Sequence, residues 1–517
     1  MSSRYKPVGI DLGTTRSALA TVINEEPELV ENMEGEYLTP SVVQIDESTE
    51  AIVGSEAANS AAQYPERTVR EIKRKMGDQE PLRIDGEEYL PEEISALTLK
   101  KVVNDAEARL DRTISNAVIT VPAYFGEAER SATKSAGDIA GLEIDRLLPE
   151  PSAACLAYGY QKGKLGEGGD ELVFVYDLGG GTFDASLVEV DYDINFYETK
   201  QTDGINSLGG KDWTETIADW ITHKAENESD QDPTESPEVM ERINKAAREA
   251  KHTLSSKSET KISIPFLLEG YNFEAELARE EFNEMSKELI ERTREPMDRL
   301  FETSEYDPEE VDTVLLIGGS SRMKQVHEFV ENYFGQAPSQ EISPDRSVAR
   351  GAAIQAGILA DEVDVGVAEN GETGVGAADI IDVVPKTLGV ELNDGRMSPV
   401  IETNEAMPVE TRKEQYSTIR DDQTTVRFPI REGESEMAED NDLIGDVVLG
   451  KNKPIPPRDP SETSLAVTFI FDKDGTLEVE AEDLLSGNSI DAVFEGVGRH
   501  SESNVEEMRS TLPTVKD

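Results

Sequence analysis

The stretch VYDLGGGTFDASLVEV, Val175 to Val190, sets three consecutive glycines between two strand-like segments, with an aspartate on either side. LVFVYD has the composition of a buried strand, GGG permits a sharp turn with exposed backbone amides, and TFDASLVEV alternates as a returning strand. A hairpin tip of this kind presents N–H groups that can cradle phosphate oxygens, because no side chain blocks close approach. The design recurs in VGIDLGTTRSALATVI, Val8 to Ile23: apolar strand, Asp, Leu, Gly, Thr, alternating strand. One such turn can serve chain reversal alone; two matching ones predict a duplicated fold with a ligand clamped between its halves. Asp11 and Asp177 are then expected to meet across a phosphate chain and to hold a magnesium ion through water. A third element, TVLLIGGSSRMKQV from Thr313, ends a strand in Gly318-Gly319, which by itself reads equally well as an ordinary strand-to-helix turn.

Working outward, the 517 residues suffice for several domains, and 37% hydrophobic content fits globular cores. Fifty Lys and Arg against 107 Asp and Glu leave a net charge of −57, which argues against nucleic-acid or anionic-membrane binding. The carboxylates are spread among periodic apolar segments, as on a solvated acidic surface suited to a salt-rich cytoplasm. The lone Cys155 excludes an intramolecular disulfide framework, and neither a signal core nor an 18-residue apolar run is present. These features predict a cytoplasmic protein.

Up to residue 361 strand-like and helix-like patterns alternate, as in NAVITVPAY followed by EAERSATKSAGDIAGL, the signature of an α/β domain. An acidic, Gly-rich interdomain linker is expected over 362–381. Short alternating strands then predict a β domain over 382–500, with LAVTFIF and LEVEAE joined through a hairpin turn at Asp474-Gly475. Residues 501–517 read as a short helical or disordered tail, limited by Pro513. No Walker motif competes, since GINSLGGKD has Ile205 in place of the first glycine and Asp212 after the lysine. His223, His252, His327 and His500 lack zinc-site spacing, and GxGxxG and GxSxG are absent.

An ordered series of motifs now carries a resemblance: GIDLGTTRSALA, REIKRKMG, AVITVPAYFGEAERSATKSAGDIAGL, EPSAACLAYGY, VYDLGGGTFD, SLGGKDW, REAKHTLSS, VLLIGGSSRM, SPDRSVARGAAIQAGIL and IIDVVPKTLGVEL. The chain resembles the seventy-kilodalton heat-shock chaperone family, DnaK and its relatives, in a strongly acidic form similar to salt-adapted proteins. The resemblance implies a two-lobed, actin-like ATPase followed by a β-sandwich that binds hydrophobic segments of unfolded proteins, with ATP or ADP, Mg2+ and K+ as cofactors. It implies phosphate loops at Gly13, Thr14 and Thr15 and at Gly179, Gly180, Gly181 and Thr182. It further implies Lys73 at the γ-phosphate and attacking water, Glu150 and Asp177 ordering water around magnesium, and Asp11 anchoring the metal shell. Thr182 is implied near the γ-phosphate. Adenosine is expected at Gly319, Ser320, Arg322, Lys251, Ser255 and Asp345, with Arg322 stacking on the base. Peptide is expected against Asn393, Tyr416, Ile419, Val426 and Phe428; without the resemblance the four apolar ones would read as core.

The chain also departs from the family pattern. Arg248 and His252 stand where many relatives place an acid on the ribose and an arginine on the adenine. The span from Met76 to Glu92 is short, Pro149 replaces the asparagine before Glu150, and Asp379 enters the apolar run of the linker. The long helical lid expected after the sandwich is essentially missing before Asp517, which predicts fast peptide exchange. J-domain and nucleotide-exchange co-chaperones are implied partners of a monomer. Two other functions of the same ATPase superfamily stay open: a sugar-kinase-type phosphotransferase, which would need a small hydroxylated substrate, and an actin-like filament protein. The second β domain argues against the former, and the acidic surface against the latter at low salt.

Overall fold

The computed structural model describes residues 7–24, 26–162, 169–360, 379–451, 453–460, 464–493 and 500–516. Both glycine hairpins form as the alternation predicts. Strands β1 (Val8–Asp11) and β2 (Arg16–Ile23) pair antiparallel with Asp11 opposite Ala18. β3 (Asn116–Val121) and β4 (Glu143–Pro149) extend that sheet in parallel from the β1 side. In the second lobe β5 (Asp170–Leu178) and β6 (Phe183–Asp191) pair antiparallel with Asp177 opposite Asp184. β7 (Phe196–Ile205) flanks β6, and β8 (Thr313–Ile317) runs parallel to β5. Each lobe thus carries a hairpin with a parallel strand beside its first arm, the duplication expected from the sequence.

The long apolar run of β5 follows from burial on both faces. Phe174, Tyr176 and Leu178 pack into one core with Trp213 and Phe273, while Val173 and Val175 enter another with Ala153 and Leu156. Helix α1 (Glu127–Ala140) covers the first sheet, and α2 (Gly210–Ser229) and α3 (Pro237–Ser256) belong to the second lobe. α4 (Ser347–Leu359) crosses so close to β1 that a Cβ on Gly9 would lie 2.1 Å from the Ala353 nitrogen.

The C-terminal region is a sandwich of two antiparallel four-stranded sheets. One has Met397–Ile401, Leu388–Glu391, Val426–Glu432 and Asp442–Leu449 in spatial order, the other Val409–Tyr416, Leu465–Phe471, Leu477–Asp483 and Asn488–Val493. In LEVEAED, Leu477, Val479 and Ala481 point into the core and Glu478 outward, so the alternation becomes the two faces of a strand. The Asp474-Gly475 turn forms, with Gly475 at φ 78° and its N–H donating to the Asp472 carbonyl at 3.0 Å.

Chain segments distant in sequence tie the sandwich to the two lobes. The linker expectation falls largely on 361–378, outside the described residues, but its end forms β9 (Asp379–Ile381), a parallel fifth strand on β7. Ile380 is buried there, and Asp382 accepts from Ser152 Oγ at 2.8 Å and Thr199 Oγ1 at 3.1 Å. Glu432 of the sandwich reaches the N-terminus of α1, accepting from the Glu127 N–H at 3.2 Å. That end has no side-chain cap of its own, so the carboxylate caps it from another domain. After the sandwich, Ser501 caps helix α5 (Glu502–Thr511) by accepting from the Asn504 N–H. Beyond it Leu512 and Val515 pack beside Ile84, Tyr89 and Ile139 of the first lobe, and the Thr514 carbonyl accepts from the Ala51 N–H at 2.9 Å.

Candidate functional site

Between the lobes lies a cavity of about 300 Å³ that brings together Asp11, Gly13, Thr14, Thr15, Lys73, Glu150, Asp177, Gly179, Gly180, Thr182, Lys251, Ser255, Gly319, Ser320, Arg322 and Asp345. Of the predicted nucleotide residues Gly181 sits behind this lining. A Cβ there would lie 2.6 Å from Thr14 Cγ2, and one on Gly180 would lie 1.9 Å from Thr15 Oγ1. None of the three consecutive glycines has positive φ, so the turn itself does not require them. Gly180 and Gly181 are needed because the two hairpin tips meet across the lobes, a reason the sequence did not disclose, whereas a Cβ on Gly179 would meet only Thr182 at 3.7 Å.

Lys73 is buried and donates to Glu150 Oε1 at 2.7 Å, with its ammonium 5.6 Å from the Phe125 ring centre. Around this pair the carboxylates crowd. Burial, then Glu150, pushes Asp11 up to about 7 against the pull of Lys73. Burial and Glu150 likewise push Asp184 to about 7, and burial with Glu150 and Asp184 raises Asp177 well above the carboxylate range. Oδ2 of Asp177 and Oδ2 of Asp184 are buried with no hydrogen-bond partner. Such oxygens call for a cation or a proton. Among the described residues no three His, Cys, Asp or Glu side chains form a direct metal cage. The unpartnered oxygens of Asp177 and Asp184 therefore fit a hard cation held through water.

The other end of the cleft is built from α3 and the turn after β8. Arg248, Lys251, His252 and Ser255 follow one another at helical spacing along one face of α3 and all line the cavity. Gly318, at φ 79°, lets the chain turn where a Cβ would stand 2.3 Å from the Leu178 carbonyl oxygen. Ser320 Oγ donates to the Gly179 carbonyl at 2.8 Å, and Arg322 donates to Asp345 at 2.6 Å and to Ser343 Oγ at 3.1 Å. Sequence reasoning passed over Arg16, Glu71 and Lys211, which line the same cavity. It also passed over the lobe-bridging pairs Glu71–Lys211 at 3.5 Å, Arg74–Asp212 at 2.6 Å and Arg70–Glu241 at 2.9 Å. SLGGKDW, two residues short of a phosphate motif, was the available signal for Lys211 and Asp212.

The five residues expected to line a peptide groove do not share one surface. Tyr416, Val426 and Phe428 are 6%, 8% and 4% exposed and belong to the sandwich core, the rings of Tyr416 and Phe428 lying 5.8 Å apart. Ile419 is 50% exposed, and Asn393 is exposed in the turn between Leu388–Glu391 and Met397–Ile401.

A family model described as "Hsp70 protein" matches residues 7–83 and 79–516. The chain is 41% identical over 509 residues to the "Chaperone protein DnaK" of Halobacterium salinarum, covering 98% of this chain and 77% of that one. It is 40% identical over 509 residues to the protein of the same name from Thermotoga maritima, covering 97% and 82%.

Proposed function

The chain belongs to the Hsp70 family, and on that premise we propose a residue-level account of its activity. It is an ATP-dependent chaperone of the Hsp70 type and an ATPase, of a family that binds ATP or ADP with Mg2+ and acts on unfolded polypeptides with co-chaperones. In the proposed account the triphosphate lies along Gly13–Thr15 and Gly179–Thr182, whose backbone amides receive its oxygens. Lys73, held by Glu150, aligns the attacking water with the γ-phosphate and offsets its charge. The water oxygen bonds to the γ-phosphorus as the bond to the β-bridging oxygen breaks, releasing ADP and phosphate. Asp11 and Asp177 would hold Mg2+ through water, and the ion would supply charge neutralisation when bound. Lys251, Ser255, Gly319, Ser320, Arg322 and Asp345 hold the adenosine.

The observation that carries this reading is the convergence of two glycine hairpins, an ammonium–carboxylate pair and unpartnered buried carboxylates on one cleft. Coupling to the sandwich is proposed through β9 and Asp382, which join sheet and linker. Tyr416, Val426 and Phe428 would take part in peptide binding by opening of the sandwich rather than as a standing groove, with Ile419 and Asn393 at its mouth. J-domain and exchange-factor partners, a dependence on K+, a monomeric state and a cytoplasmic, salt-rich setting complete the proposal. Lys73→Ala tests it: single-turnover hydrolysis should fall at least about 100-fold while ATP binding changes much less. A wild-type rate would refute the assignment.

A further inference from the structure

Acids outnumber bases two to one in this chain, yet bases dominate part of the cleft. Arg248, buried Lys251 and His252 line it from α3 in the second lobe, and Arg16 lines it from the start of β2 in the first. Among the described residues neither Arg16 nor Arg248 has an ion-pair or side-chain hydrogen-bond partner. Lys251 donates to the Gly210 carbonyl rather than to a carboxylate. The nearby acids are engaged elsewhere: Glu71 with Lys211, Asp212 with Arg74, Glu241 with Arg70 and Asp345 with Arg322. Glu249, next to Arg248 in sequence, is not part of the cavity wall. Burial and then Arg248 lower Lys251 to about 7, against the smaller pull of Glu71 and Asp212. Arg16 and Arg248, charged and without ion-pair partners, are the counterpart of the unpartnered carboxylates at the other end of the cleft, while His252, lowered to about 4 by burial and then by Lys251, Arg16 and Arg248, offers a neutral ring. The two arginines call for an anion.

The phosphate chain of ATP does not account for the bases of α3, although Arg16 directly follows Thr15 at the first hairpin tip. The cradle of that chain is the pair of hairpin tips with Lys73, whereas Arg248, Lys251 and His252 share a helix face with Ser255, at the end assigned to adenosine. An arginine where a nucleotide site could have an acid is the general device for accepting a phosphate on the ribose in place of a free hydroxyl. We propose that Arg16 and Arg248, supported by Lys251 and His252, form a second anion subsite. It takes a phosphate group in addition to the phosphate chain at the glycine hairpins. That phosphate is either borne on the ribose of an adenine nucleotide or free inorganic phosphate bound beside it. The inference rests on the reading of the cleft as a nucleotide site.

Calorimetric titration at one fixed KCl concentration compares ADP, ADP bearing a 2′-phosphate and ADP bearing a 3′-phosphate. A parallel arm titrates ADP in phosphate against chloride at matched ionic strength. At least one ribose-phosphorylated ligand should bind about tenfold or more tightly than ADP, the gain expected of one charge-assisted contact. If only the inorganic phosphate arm tightens ADP binding, the free ion is the source. Arg248→Gln and Arg16→Gln should each reduce whichever gain is seen to less than about threefold, with thermal melting showing that the variants are folded. Equal affinities in every arm, with ADP itself bound, would overturn the subsite and leave the nucleotide reading intact. A gain that survives both substitutions would also overturn it, and failure of ADP to bind would refute both readings.

Discussion

Two buried aspartates of this molecule are treated in opposite ways. Asp483 in the sandwich is 0% exposed, receives Arg458 at 2.5 and 2.7 Å, and accepts from Ser486 Oγ. Burial pushes its carboxyl up, but these donors outweigh it and hold it at about 2. Asp177 in the cleft, 3% exposed, keeps an oxygen without a partner and is forced well above the carboxylate range. A completed pair is a structural element; an incomplete cluster in a cavity is a site that waits for a ligand.

The sharpest way to break this contrast is to neutralise each group in turn. Asp177→Asn should lower single-turnover ATP hydrolysis at least about 100-fold, with the melting temperature kept or raised, because a repelling charge is removed. Asp483→Asn should do the reverse. It leaves Arg458 buried with a neutral partner and should destabilise the sandwich by about 3–5 kcal/mol in denaturant unfolding. If both variants lost stability equally and hydrolysed ATP equally, the distinction between site and scaffold would be wrong.

Titration separates the two regions by sign. The protonated forms of Asp11 and Asp184 are favoured in the folded state, at about 7, so the folded protein binds more protons than the unfolded chain above the usual carboxylate value. Stability without nucleotide should therefore fall as pH rises from about 4 to about 7. Asp483 acts the other way. Its folded value is depressed, so its contribution of about 2 kcal/mol is present above about 4 and lost as pH falls toward 2. Melting curves across pH should show the Asp483 slope vanish in Asp483→Asn and the cleft slope shrink, with Asp184 still titrating, in Asp11→Asn.

The smallest expected effect is salt on the common surface. Repulsion among uncompensated carboxylates reaches less far as the screening length drops from about 10 Å at 0.1 M to about 3 Å at 1 M. The melting temperature should rise with KCl by several degrees, while the Arg458–Asp483 contribution, being dry, should change little. A melting curve indifferent to KCl would contradict the salt-adapted reading.

What could be read in advance follows the range of the interaction. β1–β2 and β5–β6, and the Asp474-Gly475 turn, are contacts within short stretches, so periodicity and turn residues disclosed them. The cap that Glu432 places on α1, the docking of Leu512 and Val515 on the first lobe, and the addition of β9 to β7 join residues far apart. Nothing local to REGES or TLPTV announces a distant partner. The cleft lies between these cases. Asp11, Lys73, Glu150 and Asp177 were found through motifs, whereas Arg16 and Glu71 lie within GIDLGTTRSALA and REIKRKMG without a role there, and only the folded cavity wall shows that they face the cleft. The sandwich residues fared differently again, because burial of Tyr416, Val426 and Phe428 in a core and exposure in a groove share one apolar pattern.

The central claim is that a cleft poised for ATP is coupled to the sandwich through β9 and Asp382. Single-turnover ATP hydrolysis in high KCl, with and without a saturating unfolded hydrophobic peptide, tests it most directly. The account predicts a faster turnover with peptide in the wild-type chain and loss of that response in Asp382→Ala, whose basal hydrolysis persists. Equal rates with and without peptide, from a chain that binds both ligands, would contradict it.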